Sequence, residues 1–263
     1  MRIVALIAAY NEARFIGGCL DHLHEQGVDA YLCDNGSTDD TVGIASQRLG
    51  RGLLGIEDLP RDGTFRWREI LSRKEQLAAD LDADWFVHLD PDEIALPPPG
   101  HATLREAFAA VDAAGYNAVD FAELTFVPTR EAPDHDHADF RRTMIWYYPF
   151  AATPLHRLCA WKRQPAPVDL ASSGGHTVDF PGRRNYPQRF RLRHYLFLSR
   201  EHAREKFEGR RYDAQEVRQG WHSWRPSLRV DALSLPSQGE LRVARTDDEL
   251  DTSSPRTEHC VVW

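Results

Sequence analysis

Asp90, Asp92 and Glu93 follow directly on Trp85-Phe86-Val87-His88-Leu89, a run of strand-forming residues, with Pro91 between the first two acids. Apolar strand residues bury well, and acid clusters do not. The acids are therefore expected where the strand leaves the core. Three carboxylates at one point repel one another unless a cation neutralises them. Hard divalent cations such as Mg²⁺ or Mn²⁺ take oxygen ligands of this kind and complete their shell with water and a substrate's phosphates. The alternative is a solvated acidic turn, because Asp-x-Asp is short and common.

The elements needed to position such a cluster can be read upstream. Ile3 to Ala9 is a continuous apolar run, the mark of a strand buried on both faces. Asn11 is the expected cap of a helix carrying Phe15, Ile16, Cys19, Leu20 and Leu23 and ended by Gly27. Ala30 to Cys33 reads as a second strand, running into Asp34-Asn35-Gly36-Ser37-Thr38-Asp39-Asp40 and a helix to about Leu49. A third strand is expected at Leu53 to Ile56, a helix at Arg66 to Leu81, and a strand at Trp85 to Leu89. Such alternation implies a mainly parallel sheet flanked by helices, an α/β fold that binds ligands beyond the carboxyl ends of its strands. Tyr10-Asn11-Glu12, Asp34-Asn35 and Asp90-Pro91-Asp92 all fall at such ends, so they should line one edge.

Beyond Pro97-Pro98-Pro99 the pattern changes to a helix at Thr103 to Ala114 and a strand-like run at Ala118 to Val127. Met144 to Phe150 is aromatic-rich. Leu158 to Lys162 and Phe190 to Phe197 read as strands, with Ser199 capping a helix after the latter. His135 and His137 in a polar loop offer a metal pair, although such loops more often serve no ligand. Residues 1–97 and 98–230 are expected to form two halves of one domain, followed by a partly disordered tail at 231–263 that is Ser/Thr/Asp-rich from about Val243.

No run approaches the ~20 apolar residues that span a bilayer. No secretory signal pattern opens the chain, and Cys19, Cys33, Cys159 and Cys260 lack metal or redox spacing, so a reducing cytoplasm is expected. Residues 183–229 hold thirteen Arg/Lys against five Asp/Glu, net +8, in a chain of net −8. An acidic chain argues against nucleic acid as partner. The local excess suits a phosphorylated substrate or peripheral contact with an anionic membrane surface. It is equally met by arginines pairing with Glu201, Glu205 and Glu208.

Together Ala5 to Glu12, Asp34 to Thr41, Arg73-Lys74-Glu75 and Leu89 to Glu93 resemble family-2 glycosyltransferases of the GT-A (Rossmann-like) fold. Gly174-Gly175-His176, His194-Tyr195, Ser199, Lys206 and Tyr212 resemble more narrowly the lipopolysaccharide-core glucosyltransferase branch. The resemblance implies a C-terminal helical lid segment and transfer of a sugar, a UDP-sugar being favoured, to a glycan, lipid-linked or small-molecule acceptor. It implies that Ala9, Tyr10, Glu12 and Asp34 hold the nucleotide, and that Lys74 or Arg73 and Lys206 approach the donor. Asp90 would meet the ribose or a metal-bound water. Asp92, with His194 or His176, would ligate Mn²⁺ or Mg²⁺. The chain departs from the family at Ala8-Ala9, often Pro-Thr, at Asp34-Asn35, often Asp-Asp, and at Thr177, where the narrower branch often has Glu.

Such chemistry also needs a general base for the acceptor hydroxyl. Glu123 is the first candidate and Asp120 the second. Two alternatives remain. A sugar nucleotidyltransferase would need a Gly-rich loop where Tyr10-Asn11-Glu12 stands. A silent sugar-nucleotide-binding protein would keep the fold without turnover.

Overall fold

The computed structural model describes residues 1–222, 225 and 228–261. Its strands are β1 (Ile3–Ala9), β2 (Asp29–Asp34), β3 (Leu53–Asp58), β4 (Thr64–Phe65), β5 (Trp85–Leu89), β6 (Glu93–Leu96), β7 (Ala118–Val119), β8 (Phe121–Phe126), β9 (Trp146–Phe150), β10 (Ala160–Lys162), β11 (Phe190–Tyr195), β12 (Arg211–Tyr212) and β13 (Arg242–Val243). The α-helices are α1 (Ile16–Glu25), α2 (Thr41–Ser46), α3 (Trp67–Asp80), α4 (Leu104–Ala113), α5 (Phe140–Thr143), α6 (Arg200–Phe207) and α7 (Ala214–Arg218). No helix among the described residues is long and apolar enough to cross a membrane.

The chain forms two compact units. The first comprises residues 1–62, 66–121 and 155–192, and the second residues 63–65, 122–154 and 193–263. The first is α/β. Its sheet has the order β3-β2-β1-β5-β10-β7, with β3, β2, β1 and β5 parallel and β10 antiparallel to both β5 and β7. Strand parity sends alternate side chains to opposite faces. Ile3, Ala5, Ile7 and Ala9 of β1 join Trp85, Val87 and Leu89 of β5 in one core with Ile16, Cys19, Leu20 and Leu23 of α1. Val4, Leu6 and Phe86 point the other way, into a core with Leu71, Leu77 and Ala78 of α3. The same parity puts His88 on the α3 side.

Three local expectations are corrected. Asn11 is not a helix cap: it holds a left-handed backbone, φ 57°, and its Oδ1 accepts the Thr38 N–H at 2.7 Å. Asparagine tolerates that region because its short polar side chain bonds locally. Helix α1 starts after Phe15 without a side-chain cap. Helix α2 stops at Ser46, and the chain then turns so that Arg48 reaches Asp21 at 2.6 Å. Glu93 is not part of an acidic loop but opens β6, fully within the interior.

In the second unit β13, β9, β8 and β11 lie side by side, β9 being antiparallel to both β8 and β13. Its core joins Val127, Tyr148, Phe150, Phe197, Ala203, Phe207 and Val230. Helix α6 has the expected cap, Ser199, whose side chain accepts the His202 N–H. Residues 231–261, expected as part of a tail, contain the 3₁₀ turns Gln238–Glu240 and Asp247–Glu249 and strand β13, and a further turn, Val230–Ala232, leads into them.

Candidate active site

Strands β2, β1 and β5 are adjacent and parallel, so their carboxyl ends share one edge of the first unit. The loops after β1 and β2 are knitted together. Asn35 N–H donates to Ala9 O at 2.7 Å, Asn11 N–H to Ser37 Oγ at 3.0 Å and Glu12 N–H to Thr41 Oγ1 at 2.8 Å. Asp34 and Asn35 are each only 6 % exposed. Asp34 Oδ2 accepts the Ser37 N–H, and Asn35 Nδ2 donates to Leu59 O. Among the described residues, Asp34 Oδ1 and Asn35 Oδ1 have no hydrogen-bond partner. A buried acceptor left unpaired costs about 1–3 kcal/mol, which a ligand's donor group could offset. Beside them the Arg61 guanidinium lies 3.8 Å from the centre of the Tyr10 ring.

At the end of β5, Asp90 is half-buried and Asp92 is 5 % exposed. Glu93 is taken out of the cluster: its Oε1 is paired with the Arg157 guanidinium and its Oε2 accepts the Asp90 N–H at 2.9 Å. Of the three carboxylates, Glu93 is therefore paired with a protein cation, and Asp90 and Asp92 lie on the turn before it. Those two are hard oxygen donors on a tight turn, which fits a cation held by few carboxylates and a ligand's phosphates. No group of three or more His, Cys, Asp or Glu among the described residues could hold a metal by itself.

Behind this turn sits Lys74, fully buried. Its Nζ donates to His88 Nδ1 at 2.8 Å and to Leu89 O at 3.3 Å. Burial lowers Lys74 to about 8, opposed by the Asp90 charge. Burial first, then the cations Lys74 and Arg157, hold His88 neutral. Gly175, at φ +89°, packs against this pair, since a Cβ there would stand 3.0 Å from His88 Nε2. The glycine turn carries His176, which is exposed and stacked on His156 at 4.8 Å. Arg73 forms a bidentate pair with Glu57 at 2.7 and 2.9 Å.

Asp120 belongs to the same unit. Its Oδ1 accepts the Arg157 N–H at 3.1 Å, its Oδ2 has no hydrogen-bond partner among the described residues, and burial raises its carboxyl to about 6. Between the ordinary carboxylate range near 4 and about 6, the folded protein holds a proton that the unfolded chain has lost. Stability should therefore fall as pH rises through that window, by about 3 kcal/mol at most. Asp120→Asn should match wild type near pH 4 and exceed it near pH 7 in urea unfolding. Parallel curves across this range would show that the ionised carboxylate carries no penalty.

The remaining expected residues lie in the second unit. His194 Nδ1 donates to Glu123 Oε1 at 2.8 Å, and Thr125 Oγ1 donates to the same oxygen at 3.0 Å. Lys206, half-buried on α6, lies 5.8 Å from the Phe207 ring. The basic segment is largely committed internally. Arg204 pairs with Glu201, Glu208 and Asp231, Arg193 with Asp247, Arg183 with Asp179, and Arg191 donates to Pro97 O. Of the two outcomes left open for this segment, Arg204 takes the pairing with Glu201 and Glu208. Ser223, Trp224, Pro226 and Ser227 of that segment lie outside the described residues. The His135 and His137 rings share Thr143 Oγ1, at 3.0 and 3.2 Å, rather than marking a metal cluster.

Sequence reasoning missed Arg157, His88 and Arg61. His88 was legible from strand parity. Arg157 and Arg61 carry no local signal, because their partners are far along the chain or in another loop.

Residues 4–98 match the model of the family described as glycosyl transferase family 2. The matched stretch is about a third of the chain. The carboxyl ends of β1, β2 and β5 fall within it. A comparison with curated proteins finds no match. Among solved structures, Staphylococcus aureus TarS 1-349 in complex with UDP is similar at TM-score 0.44 and 12 % identity, over 75 % of this chain and 61 % of that one. The full TarS structure is matched over 74 % of this chain and 37 % of its own length, at the same score and identity. Glucosyl-3-phosphoglycerate synthase from Mycobacterium tuberculosis, solved with Mn²⁺, UDP and phosphoglyceric acid, is similar at TM-score 0.33 and 24 % identity, over 46 % of this chain and 43 % of that one. The chain thus spans less than two thirds of these proteins' lengths.

Proposed function

We propose that the protein transfers a sugar from a nucleotide-diphosphate donor, a UDP-sugar, to an acceptor hydroxyl with inversion at the anomeric carbon. The observation that carries this reading is the pair of buried oxygens on Asp34 and Asn35 with no hydrogen-bond partner among the described residues, on the same sheet edge as Asp90-Pro91-Asp92 and within the stretch that matches glycosyl transferase family 2. Those oxygens offer acceptors to the N–H of a uracil or the hydroxyls of a ribose. Tyr10, Ala9 and Glu12 frame the same loops.

Asp92, with Asp90 beside it, would hold Mn²⁺ or Mg²⁺. When bound, such an ion supplies Lewis-acid stabilisation for the charge that develops on the leaving diphosphate. The protein's part is to prepare the turn. Arg157 withdraws Glu93, and Lys74 fixes the Leu89 carbonyl and His88 beneath it. This moves Lys74 from the expected donor contact to a supporting one. The base assignment also changes order. Glu123 already receives two donors on one oxygen, whereas Asp120, raised to about 6, is matched to accept a proton near neutral pH. The same reading gives His194, His176 and Lys206 roles toward metal or phosphate, and it includes the narrower likeness to lipopolysaccharide-core glucosyltransferases and a cytoplasmic setting.

Calorimetric titration with UDP-glucose, UDP-N-acetylglucosamine and GDP-mannose, each with Mn²⁺ and with EDTA, tests the reading. A UDP-sugar should bind at least about tenfold more tightly with metal, a gain of about 1.4 kcal/mol. Equal affinities would remove the metal from the mechanism, and no binding of any nucleotide-sugar would remove the function. Release of free UDP with an acceptor distinguishes a transferase from a silent binding module. A nucleotidyltransferase would instead release pyrophosphate from a nucleoside triphosphate.

A further inference from the structure

Asn11, Glu12 and Ala13 follow one another in the loop after β1. All three of their N–H groups donate to side-chain oxygens of the loop after β2: to Ser37 Oγ at 3.0 Å, Thr41 Oγ1 at 2.8 Å and Asp39 Oδ2 at 3.1 Å. The chain turns toward that loop at Asn11, whose backbone is left-handed at φ 57°. Most residues with a Cβ are strained there, and Asn and Asp are the ones that tolerate it. The Asn11 side chain closes the clasp. A backbone N–H only donates, so the amide atom 2.7 Å from the Thr38 nitrogen is the oxygen, and Nδ2 then faces Thr38 Oγ1 at 3.3 Å. Ser37 links the clasp to the site. Its Oγ receives the Asn11 N–H, and its own N–H donates to Asp34 Oδ2 at 3.0 Å. With Oδ2 so engaged, Asp34 Oδ1 is the oxygen left toward a ligand, buried and with no hydrogen-bond partner among the described residues. All of these residues belong to the first unit.

We propose that Asn11 is a positioning residue for the nucleotide end of the donor: its left-handed backbone and its amide hold Ser37 and Thr38, and through Ser37 they set the direction of the Asp34 carboxylate. Asn11 spends its own side chain on Thr38, so its effect on a ligand passes through Asp34. Loops ordered before the ligand arrives need not be ordered by it, and binding is stronger for that reason. The effect belongs to the base and ribose, because Asp34 stands at the end of β2, whereas Asp90 and Asp92 follow β5. The identity of the ligand rests on the function proposed above, but the clasp does not.

Calorimetric titration of the full-length chain with UDP in EDTA, and with UDP-glucose plus Mn²⁺, separates the nucleotide end from the metal end. Three variants separate the two properties of Asn11. Asn11→Asp keeps the tolerance for the left-handed backbone and an acceptor for the Thr38 N–H. Asn11→Gly keeps the conformation and loses the side chain. Asn11→Ala loses both, and where it folds poorly Asn11→Gly still decides. The expected order is Asn11→Asp close to wild type, Asn11→Gly about 3- to 10-fold weaker and Asn11→Ala weaker still. The factors should be the same with and without metal, and in turnover they should fall on donor KM rather than kcat. A residue that only stabilised the fold would lower the melting temperature in this order and leave the affinity of the folded variants unchanged. Nucleotide affinity in folded Asn11→Gly equal to that of wild type therefore overturns the proposal. If wild type binds neither nucleotide, the proposed function fails, and amide hydrogen exchange tests the clasp instead. The Ser37 N–H, which bonds Asp34 and not Asn11, should exchange at least about tenfold faster in Asn11→Gly than in wild type. Equal exchange there would show that Asn11 does not govern the Asp34 contact.

Discussion

Asp92→Asn should lower kcat/KM for sugar transfer by about a thousandfold, a loss of about 4 kcal/mol of transition-state stabilisation. The substitution keeps the shape of the side chain and removes its charge. In the proposed site that charge holds the cation facing the diphosphate, so the loss falls on the chemical step and on metal-dependent donor binding together. Sequence alone placed Asp92 on an exposed turn, where an isosteric change moves stability by no more than ~0.5 kcal/mol. The structure buries it to 5 % exposure beside Asp90. Adding Mn²⁺ with UDP-sugar should raise the wild-type melting point and leave the variant's unmoved. Turnover within threefold of wild type would reduce the cluster to a solvated turn.

The residues that set strands β1, β2 and β5 were legible because burial on both faces demands continuous apolar runs, and Ile3 to Ala9 and Trp85 to Leu89 are such runs. Their parallel order places three polar loops on one edge, and that also followed from the β-α alternation. Asn11 shows the limit of local reading. One short amide serves a helix cap or a left-handed turn, and only the neighbouring loop, through the Thr38 N–H, decides between them. Charge was legible as composition but not as pairing. The +8 of residues 183–229 pointed to an anionic ligand, yet Arg204, Arg193 and Arg191 also find partners far along the chain, at Asp231, Asp247 and Pro97, that no local window contains. Along the chain a boundary near 97 was expected, whereas the compact units are discontinuous. Residues 155–192 return to the first because β10 pairs with β5. For the same reason Arg157 was invisible: it enters the site from just before that returning strand.

Arg157→Met should destabilise the first unit by about 3–5 kcal/mol, because it strands a carboxylate in the interior. Glu93 is 3 % exposed and its partner 9 %, so neither can turn to water without moving the backbone. Glu93→Gln should cost less than Arg157→Met, since its amide oxygen still accepts from the guanidinium and only the bond from the Asp90 N–H is lost. The double variant removes both charges, and its loss should fall short of the sum of the two single losses by about 1–3 kcal/mol. Urea unfolding of the four proteins measures that coupling, and additive losses would mean that the pair is not bonded in solution. The pair also reaches function. With Arg157 gone, Glu93 must take up a proton or turn its charge toward Asp90 and Asp92, and the Asp90 N–H loses a fixed acceptor. Either outcome disturbs the turn that presents the two remaining carboxylates. Arg157→Met should therefore weaken Mn²⁺-dependent UDP-sugar binding even under conditions where the variant is fully folded, while Glu93→Gln, which keeps a hydrogen-bonding side chain in place, should retain most of it. Equal donor affinity in wild type and Arg157→Met, measured by calorimetry on folded protein, would confine Arg157 to holding the fold together.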